Sequence, residues 1–391
     1  MNYILFDGPQ RNALLPFTFT RPIADIRIGI LTIREKWEHY LGNTTSTVTE
    51  DYLAEKWPMV ELETNIFICG GILPDKQLVK NIKTLRVNEA IYSNEDVLIA
   101  FCVKKGVEPD LKVLKTIIYN HAYAEVKNTW DIFKLNEATI NADFELLTNG
   151  KESQPLSETN KVVGNRKVFL EEGANVECSI FNTTEGPVYI GKHATIMEGS
   201  IIRGPFALCE HATIKMGAKI YGGTTVGPHS KVGGEVGNSV IFGYSNKGHD
   251  GYLGNSVLGE WCNLGADTNT SNLKNNYAEV KLWSYETENF APTGEQFCGL
   301  MMGDHSKAGI NTMFNTGTIV GVSANIYGGG FPRNFIPSFS WGGSAGMVTY
   351  RTDKAFEVAE KVMQRRKINF TEEDKAILNT IFENTVQWRK E

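Results

Sequence analysis

The stretch of this 391-residue chain with the clearest chemical content runs Gly243-Tyr244-Ser245-Asn246-Lys247-Gly248-His249-Asp250-Gly251-Tyr252-Leu253-Gly254. An imidazole titrates near neutrality and can accept a proton from a substrate, and glycines on either side permit close approach. His249 is therefore expected to be a general base. The competing reading is a histidine that only turns a corner. His193, His211 and His229 fall at regular corner positions of the repeat described next, whereas His249 lies off that register. The seven histidines show no HxxxH pair, which disfavours a zinc site. Cys69, Cys102, Cys178, Cys209, Cys262 and Cys298 include no CxxC pair, as expected in a reducing compartment.

The elements that must position His249 are announced by a period of six. Aliphatic residues recur at Ile190, Ile196, Ile202, Leu208, Ile214, Ile220, Val226 and Val232, then at Leu258 and Leu264, and again at Met302, Ala308, Phe314, Val320 and Ile326. Neither the helical period of 3.6 nor the strand period of 2 sustains a six. A parallel β-helix does, because each hexad supplies one short strand, one corner and one side chain for a narrow shared core. Only 7 of the 38 glycines lie in residues 1–150 and none follows Gly346, leaving 31 between 151 and 350. Corners with positive φ are the expected reason, at Gly191, Gly204, Gly217, Gly227 and Gly233 among others. Two irregular stretches, Gly243–Gly254 and Ser271–Phe297, are expected to leave the coils and carry function.

Residues 1–150 read as a mixed α/β domain. Strands are expected at Tyr3–Phe6, Asn65–Cys69 and Val97–Val103, and helices at Ile30–Tyr40, Lys76–Leu85 and Leu111–Ile118. Residues 149–160 have the composition of a linker, and the β-helix domain is placed at 161–350. Residues 352–391 are free of glycine, and Thr371-Glu372-Glu373 precedes an apolar-periodic run. Two C-terminal helices capping the solenoid are expected there. A net charge of −6 without a basic block argues against nucleic-acid binding. The N-terminal MNYILFDGPQR lacks the pattern of a signal peptide and no apolar run reaches spanning length, so a cytoplasmic protein with no membrane span is expected.

Residues Lys247–Asn276 resemble a known signature. Gly248-His249-Asp250-Gly251-Tyr252-Leu253-Gly254-Asn255, followed by Asn263-Leu264-Gly265-Ala266-Asp267-Thr268-Asn269-Thr270-Ser271-Asn272, is similar to GHxxYxGD and NxGAGTxTxN. Those motifs mark the left-handed β-helix acyltransferase domain of bifunctional N-acetylglucosamine-1-phosphate uridylyltransferase/glucosamine-1-phosphate N-acetyltransferases and related archaeal-type sugar-1-phosphate nucleotidyltransferases. The resemblance implies that His249 deprotonates the amine of glucosamine 1-phosphate. It implies that Tyr252, Asn263, Asn272 and Glu235 position the sugar, that Lys274 contacts phosphate, and that Ala266 lies near the acetyl-CoA thioester. The chain departs from the family at Tyr221, where an arginine is expected, at Gly237 in place of lysine, at Asp267 in place of glycine, and at Ile310 in place of serine.

The N-terminal domain resembles the sugar nucleotidyltransferase superfamily more faintly. In place of a GxGTRM…PK loop it carries Leu5-Phe6-Asp7-Gly8-Pro9-Gln10-Arg11-Asn12, with Arg21-Pro22 and Asp25-Ile26-Arg27 following and Trp130-Asp131-Ile132-Phe133 near its end. The resemblance implies nucleotide binding at Asp7, Gly8, Arg11, Arg21, Arg27 and Lys36, with Arg11, Arg21, Arg27 and Lys36 as the phosphate contacts. Asp7 is a further expectation as a Mg2+ ligand beside the triphosphate. Structural ion pairing is the competing role for Arg11 and Arg21. The implied whole is a homotrimer that takes a sugar 1-phosphate with UTP or dTTP, acetyl-CoA, or both. The alternative is a non-catalytic trimeric nucleotide-sugar-binding or scaffold protein on the same folds.

Overall fold

The computed structural model describes residues 1–389, so positions 390–391 of the expected helical cap lie outside the described residues. The chain forms two compact units. One comprises Met1–Leu14, Thr20–Ile26 and Leu31–Asn128, and the other Leu15–Phe19, Arg27–Ile30 and the chain from Thr129 onward.

The first unit is built on one mixed sheet of order β2-β1-β3-β5-β4-β6. Its strands are β1 (Asn2–Phe6), β2 (Ser46–Val48), β3 (Thr64–Cys69), β4 (Glu89–Ser93), β5 (Leu98–Lys104) and β6 (Lys115–Tyr119). β5 runs antiparallel to both neighbours and the other pairings are parallel. Helix α1 (Ile33–Leu41) starts at a capping box between Thr32 and Glu35 and stops at Gly42, which takes φ 73. Its Trp37 is fully buried and donates its indole N–H to the Ile72 carbonyl at 2.9 Å. Helix α2 covers Lys76–Lys83. Leu111–Ile118, expected as a helix, is instead a turn leading into β6. The β-branched run Lys115-Thr116-Ile117-Ile118-Tyr119 pairs in parallel with β4, with Ile117 beside Ile91, and that pairing outweighs the helical spacing of its leucines.

The second unit is a parallel β-helix. Three sheets of six, nine and ten strands run along it, and each strand pairs with its counterpart one coil away. Val176, Ile196, Ile214 and Val232 make one interior row, and Ile190, Leu208, Val226 and Ile241 another. All of the hexad aliphatics singled out above are buried in one continuous core. At about 2 kcal/mol for each aliphatic removed from water, that core is the main source of stability. Coils begin at Lys161–Val163, ahead of the strict hexads that start at Ile190, and there Leu170 and Phe181 fill the interior out of hexad phase.

The stretch Gly243–Gly254 does not leave the solenoid, contrary to expectation. Asn246–Lys247 pairs with Lys231–Val232, and Tyr252–Gly254 with Glu235–Gly237, so it is an ordinary coil. It reads as irregular because the neighbouring corners are shorter, and because the inward position after Val232 holds Lys247 rather than an aliphatic. Ser271–Phe297 does leave the coils, as an antiparallel hairpin of Lys281–Ser284 and Asn289–Pro292.

Glycine at the corners has two causes, not the single one expected. Gly217 takes φ 67. Gly227 does not, yet a Cβ there would lie 1.2 Å from the Phe242 carbonyl oxygen, so the next coil excludes any side chain. Many positive-φ corners carry side chains instead, including His193, His211, His229, Tyr244, Trp261 and His305. Their rings stack coil upon coil, at 5.1, 4.8, 4.8, 4.3 and 6.2 Å between centroids.

Helix α3 (Asn136–Thr148) packs on the solenoid, Asn136 donating to the Gly223 carbonyl at 2.7 Å. Residues 149–160 lack regular structure, as expected, but are tied to the first coils through Ser157 on Glu177 at 2.7 Å and Asn160 on the Val176 carbonyl at 2.8 Å. Helix α4 (Thr352–Gln364) lies along one side of the coils, over Lys307 and Asn325. Helix α5 (Glu372–Asn384) sets Phe382 edge-on against Phe339 of the last coil at 5.2 Å. The hairpin Ser340–Gly343/Gly346–Thr349 covers the last strand edge of one sheet.

Candidate active site

The corner after Asn246–Lys247 carries His249, which is exposed. Strand pairing carries the same corner through the next two coils: Asn246 pairs with Asn263, and Leu264 with Ala308. His249, Ala266 and Ile310 therefore occupy equivalent places on successive coils, spaced by about 4.8 Å, the separation of paired strands. Backbone bonds fix the row: Asp267 N–H donates to the Asp250 carbonyl at 3.0 Å and Asn311 N–H to the Ala266 carbonyl at 2.8 Å. An exposed imidazole, a small residue and an exposed isoleucine thus line one corner.

Beyond this corner the chain enters Tyr252–Gly254. Asn272 donates to the Tyr252 hydroxyl at 3.0 Å and to the Asn255 amide oxygen at 2.7 Å. Gly254 lies beneath the Tyr252 ring tip, and a Cβ there would come within 2.2 Å of the hydroxyl. Burial pushes the Tyr252 phenol above its ordinary value, and Glu235, its cross-strand neighbour, adds to the rise. The phenol stays protonated at neutral pH and, having accepted from Asn272, keeps its own proton to donate. This network suits the hydroxyl and phosphate oxygens of a sugar phosphate.

Not every expected residue joins it. Asn263 belongs to the preceding face, where its amide oxygen accepts from Asn246 at 3.0 Å. Lys274 donates to the Glu279 carbonyl at 2.7 Å within its own loop. Asn255 and Lys247 are the residues that sequence reasoning missed. Counting the inward row through the coil would have exposed Lys247, which stands where an aliphatic belongs. Its side chain is buried, and its Nζ donates to the His249 carbonyl at 2.7 Å.

In the first unit Asp7 and Arg11 form a buried ion pair at 2.8 Å. Asp7 also accepts from Thr49 Oγ1 at 2.5 Å and from the Ile23 N–H at 2.7 Å. Arg11 further meets Tyr52 at 3.0 Å and Glu50 at 3.4 Å. Both carboxylate oxygens of Asp7 are thus engaged in closing its loop, and the residue does not fit a magnesium ligand in this arrangement. No group of three or more His, Cys, Asp or Glu able to hold a metal occurs among the described residues. Gly8 is buried, and a Cβ there would meet Gln10 and Cys69 within 3 Å. Arg21 is buried and its carbonyl accepts from Arg11 at 3.4 Å, while Lys36 donates to the Leu31 carbonyl at 3.2 Å. Arg27 belongs to the second unit, where it donates to the Ile30 carbonyl.

The chain is thus an α/β domain followed by a hexapeptide-repeat β-helix with a histidine at one exposed corner. Residues 3–152 match the family model described as sugar nucleotidyl transferase. The chain is 35% identical over 174 residues to a bifunctional sugar-1-phosphate nucleotidylyltransferase/acetyltransferase of Sulfurisphaera tokodaii, covering 44% of this chain and 42% of that protein. It is 27% identical over 272 residues to the bifunctional protein GlmU of Methanocaldococcus jannaschii, covering 66% of this chain and 55% of the relative. The chain thus spans about half the length of the curated relatives it matches. Among solved structures it is similar to the polysialic-acid-specific acetyltransferase NeuO, at 15% identity and TM-score 0.28, covering 54% of this chain and 99% of the other. No helix among the described residues is long and apolar enough to cross a membrane.

Proposed function

We propose that this chain is a bifunctional sugar-nucleotide enzyme, pairing sugar-1-phosphate nucleotidyl transfer in the α/β domain with acetyl transfer on the β-helix. The observation that carries the second activity is the corner row His249, Ala266 and Ile310 beside the Tyr252–Asn272–Asn255 network. His249 removes a proton from the ammonium of glucosamine 1-phosphate, the freed amine attacks the carbonyl carbon of acetyl-CoA, the C–S bond breaks, and the leaving thiolate takes up the second proton that the nitrogen sheds as the amide forms. In the first activity an oxygen of the sugar 1-phosphate attacks the α-phosphorus of UTP or dTTP and pyrophosphate departs. The family match over residues 3–152 supports it, and no step is derived through a metal.

The outer face of the six-stranded sheet carries the exposed side chains Ile180, Ile201 and Tyr221 on neighbouring coils. That small apolar patch, flanked in register by Lys161 and Lys219, supports self-association, and a homotrimer is the expected mass in light scattering. For acetyl transfer the decisive experiment is His249→Ala, assayed by thiol release from acetyl-CoA with glucosamine 1-phosphate. Loss of release with an unchanged circular dichroism spectrum is expected, and full retention removes His249 from the mechanism. A second reading, an α/β domain that holds its fold without turnover, is favoured by the engagement of Arg11 with Asp7, Glu50 and Tyr52. Pyrophosphate release from UTP or dTTP with a sugar 1-phosphate decides between the two.

A further inference from the structure

The interior row that contains Val176, Ile196, Ile214, Val232, Leu264, Ala308 and Ile326 is apolar throughout except at Lys247. That lysine is 2% exposed. A lysine in an aliphatic row offends the packing rule that builds the solenoid, because an ammonium removed from water loses hydration that hydrocarbon cannot replace. Such exceptions gather where a fold gives up stability for function. The polar atom that meets its ammonium lies at the following corner. There the Lys247 ammonium donates to the His249 carbonyl at 2.7 Å. Asp250 and Asp267, on the same corner of adjacent coils, favour its charge, while burial pulls it down to about 8.

We propose that Lys247 is a positioning residue for His249, pinning from inside the coil the backbone of the glycine-flanked turn on which the imidazole stands. Gly248 and Gly251 leave this turn with little stiffness of its own. A carbonyl held from beneath fixes the Cα of His249 against the row of Ala266 and Ile310, which is the alignment a base and a thioester need. The proposal rests on the reading of His249 as the base.

The test is Lys247→Met, which restores apolar character to the row and so favours folding; Lys247→Leu serves as a second variant. Hydrogen exchange is followed at the amides of residues 248–254, together with steady-state thiol release from acetyl-CoA. Exchange about tenfold faster in this turn, with the corners at His211 and His229 unchanged, is expected. So is a fall in kcat of about tenfold or more, with KM for acetyl-CoA within about twofold. A merely structural lysine would not produce this split. Unchanged exchange across 248–254, or an unchanged kcat, overturns the proposal. If the unaltered protein releases no thiol, the proposed function fails, and the exchange comparison alone then decides whether Lys247 holds the turn.

Discussion

Asn272 reaches back across the mouth of the Ser271–Phe297 excursion to donate to the Tyr252 hydroxyl at 3.0 Å. The excursion and the coil are thereby joined side chain to side chain. Tyr252→Phe removes the hydroxyl proton that this network leaves available to a ligand. We expect KM for glucosamine 1-phosphate to rise about tenfold, with acetyl-CoA binding unchanged, since a lost hydrogen bond to a charged partner is worth about 1.5–3 kcal/mol. Asn272→Ala should act in the same direction, and the two changes together should cost less than their sum. Paired KM measurements on the single and double variants check this.

The Asp7–Arg11 pair predicts stability changes in the α/β domain that precede any effect on nucleotide. Both side chains are only 9% exposed. Removing either leaves a buried charge without its main partner, at a cost of about 3–5 kcal/mol. Asp7→Ala and Arg11→Ala should each lower the urea midpoint of the domain strongly, and the double variant should lie well short of additivity. A turnover assay on Arg11→Ala therefore needs its folded fraction measured in parallel.

Lys247 predicts an unusual alkaline behaviour. Its folded value near 8 lies below the ordinary 10.5, so between these pH values the unfolded chain holds a proton that the native protein has released. Stability then rises with pH across that window as far as this group is concerned, and its burial costs about 3 kcal/mol at pH 7. Lys247→Met should be more stable than the parent at pH 7 by up to that amount. The difference between the two should close as the pH approaches 10.5. Urea melts of both proteins at pH 7, 8.5 and 10 check it, and comparison by difference removes Lys307, whose burial shifts it the same way.

The hexad rows, the α/β character of the first 150 residues and the two C-terminal helices were legible because each rests on a local period that burial then enforces. What was not legible followed from exceptions to the period. Lys247 hid a regular coil by occupying an aliphatic position, and the shortened corners around it shifted the count. Leu111–Ile118 carries helical spacing, yet its partner strand lies more than twenty residues upstream and no local signal announces it. Asn263 sits within the signature itself, but alternation along its strand turns it onto the face of Asn246. Asp7 and Arg11 have the residue types of a phosphate site, and only their separation in space shows them satisfied by each other.

The stacked corner predicts the acid limb of stability. His193, His211 and His229 follow one another at 5.1 and 4.8 Å, and Tyr244 stacks on His229 at 4.8 Å. Burial lowers the His229 imidazole below its ordinary 6.5, His211 and Arg366 push it the same way, and Glu210 opposes them. Because the native value lies below the unfolded one, the unfolded chain takes up the proton first as pH falls. Stability from this group is intact above pH 6.5 and is lost progressively below it. His229→Phe keeps the stacking surface and removes the titration, so its urea midpoint should fall less than the parent's between pH 7 and pH 5. Parallel acid slopes in the two proteins would show that the charge on His229 is not what unfolds this corner.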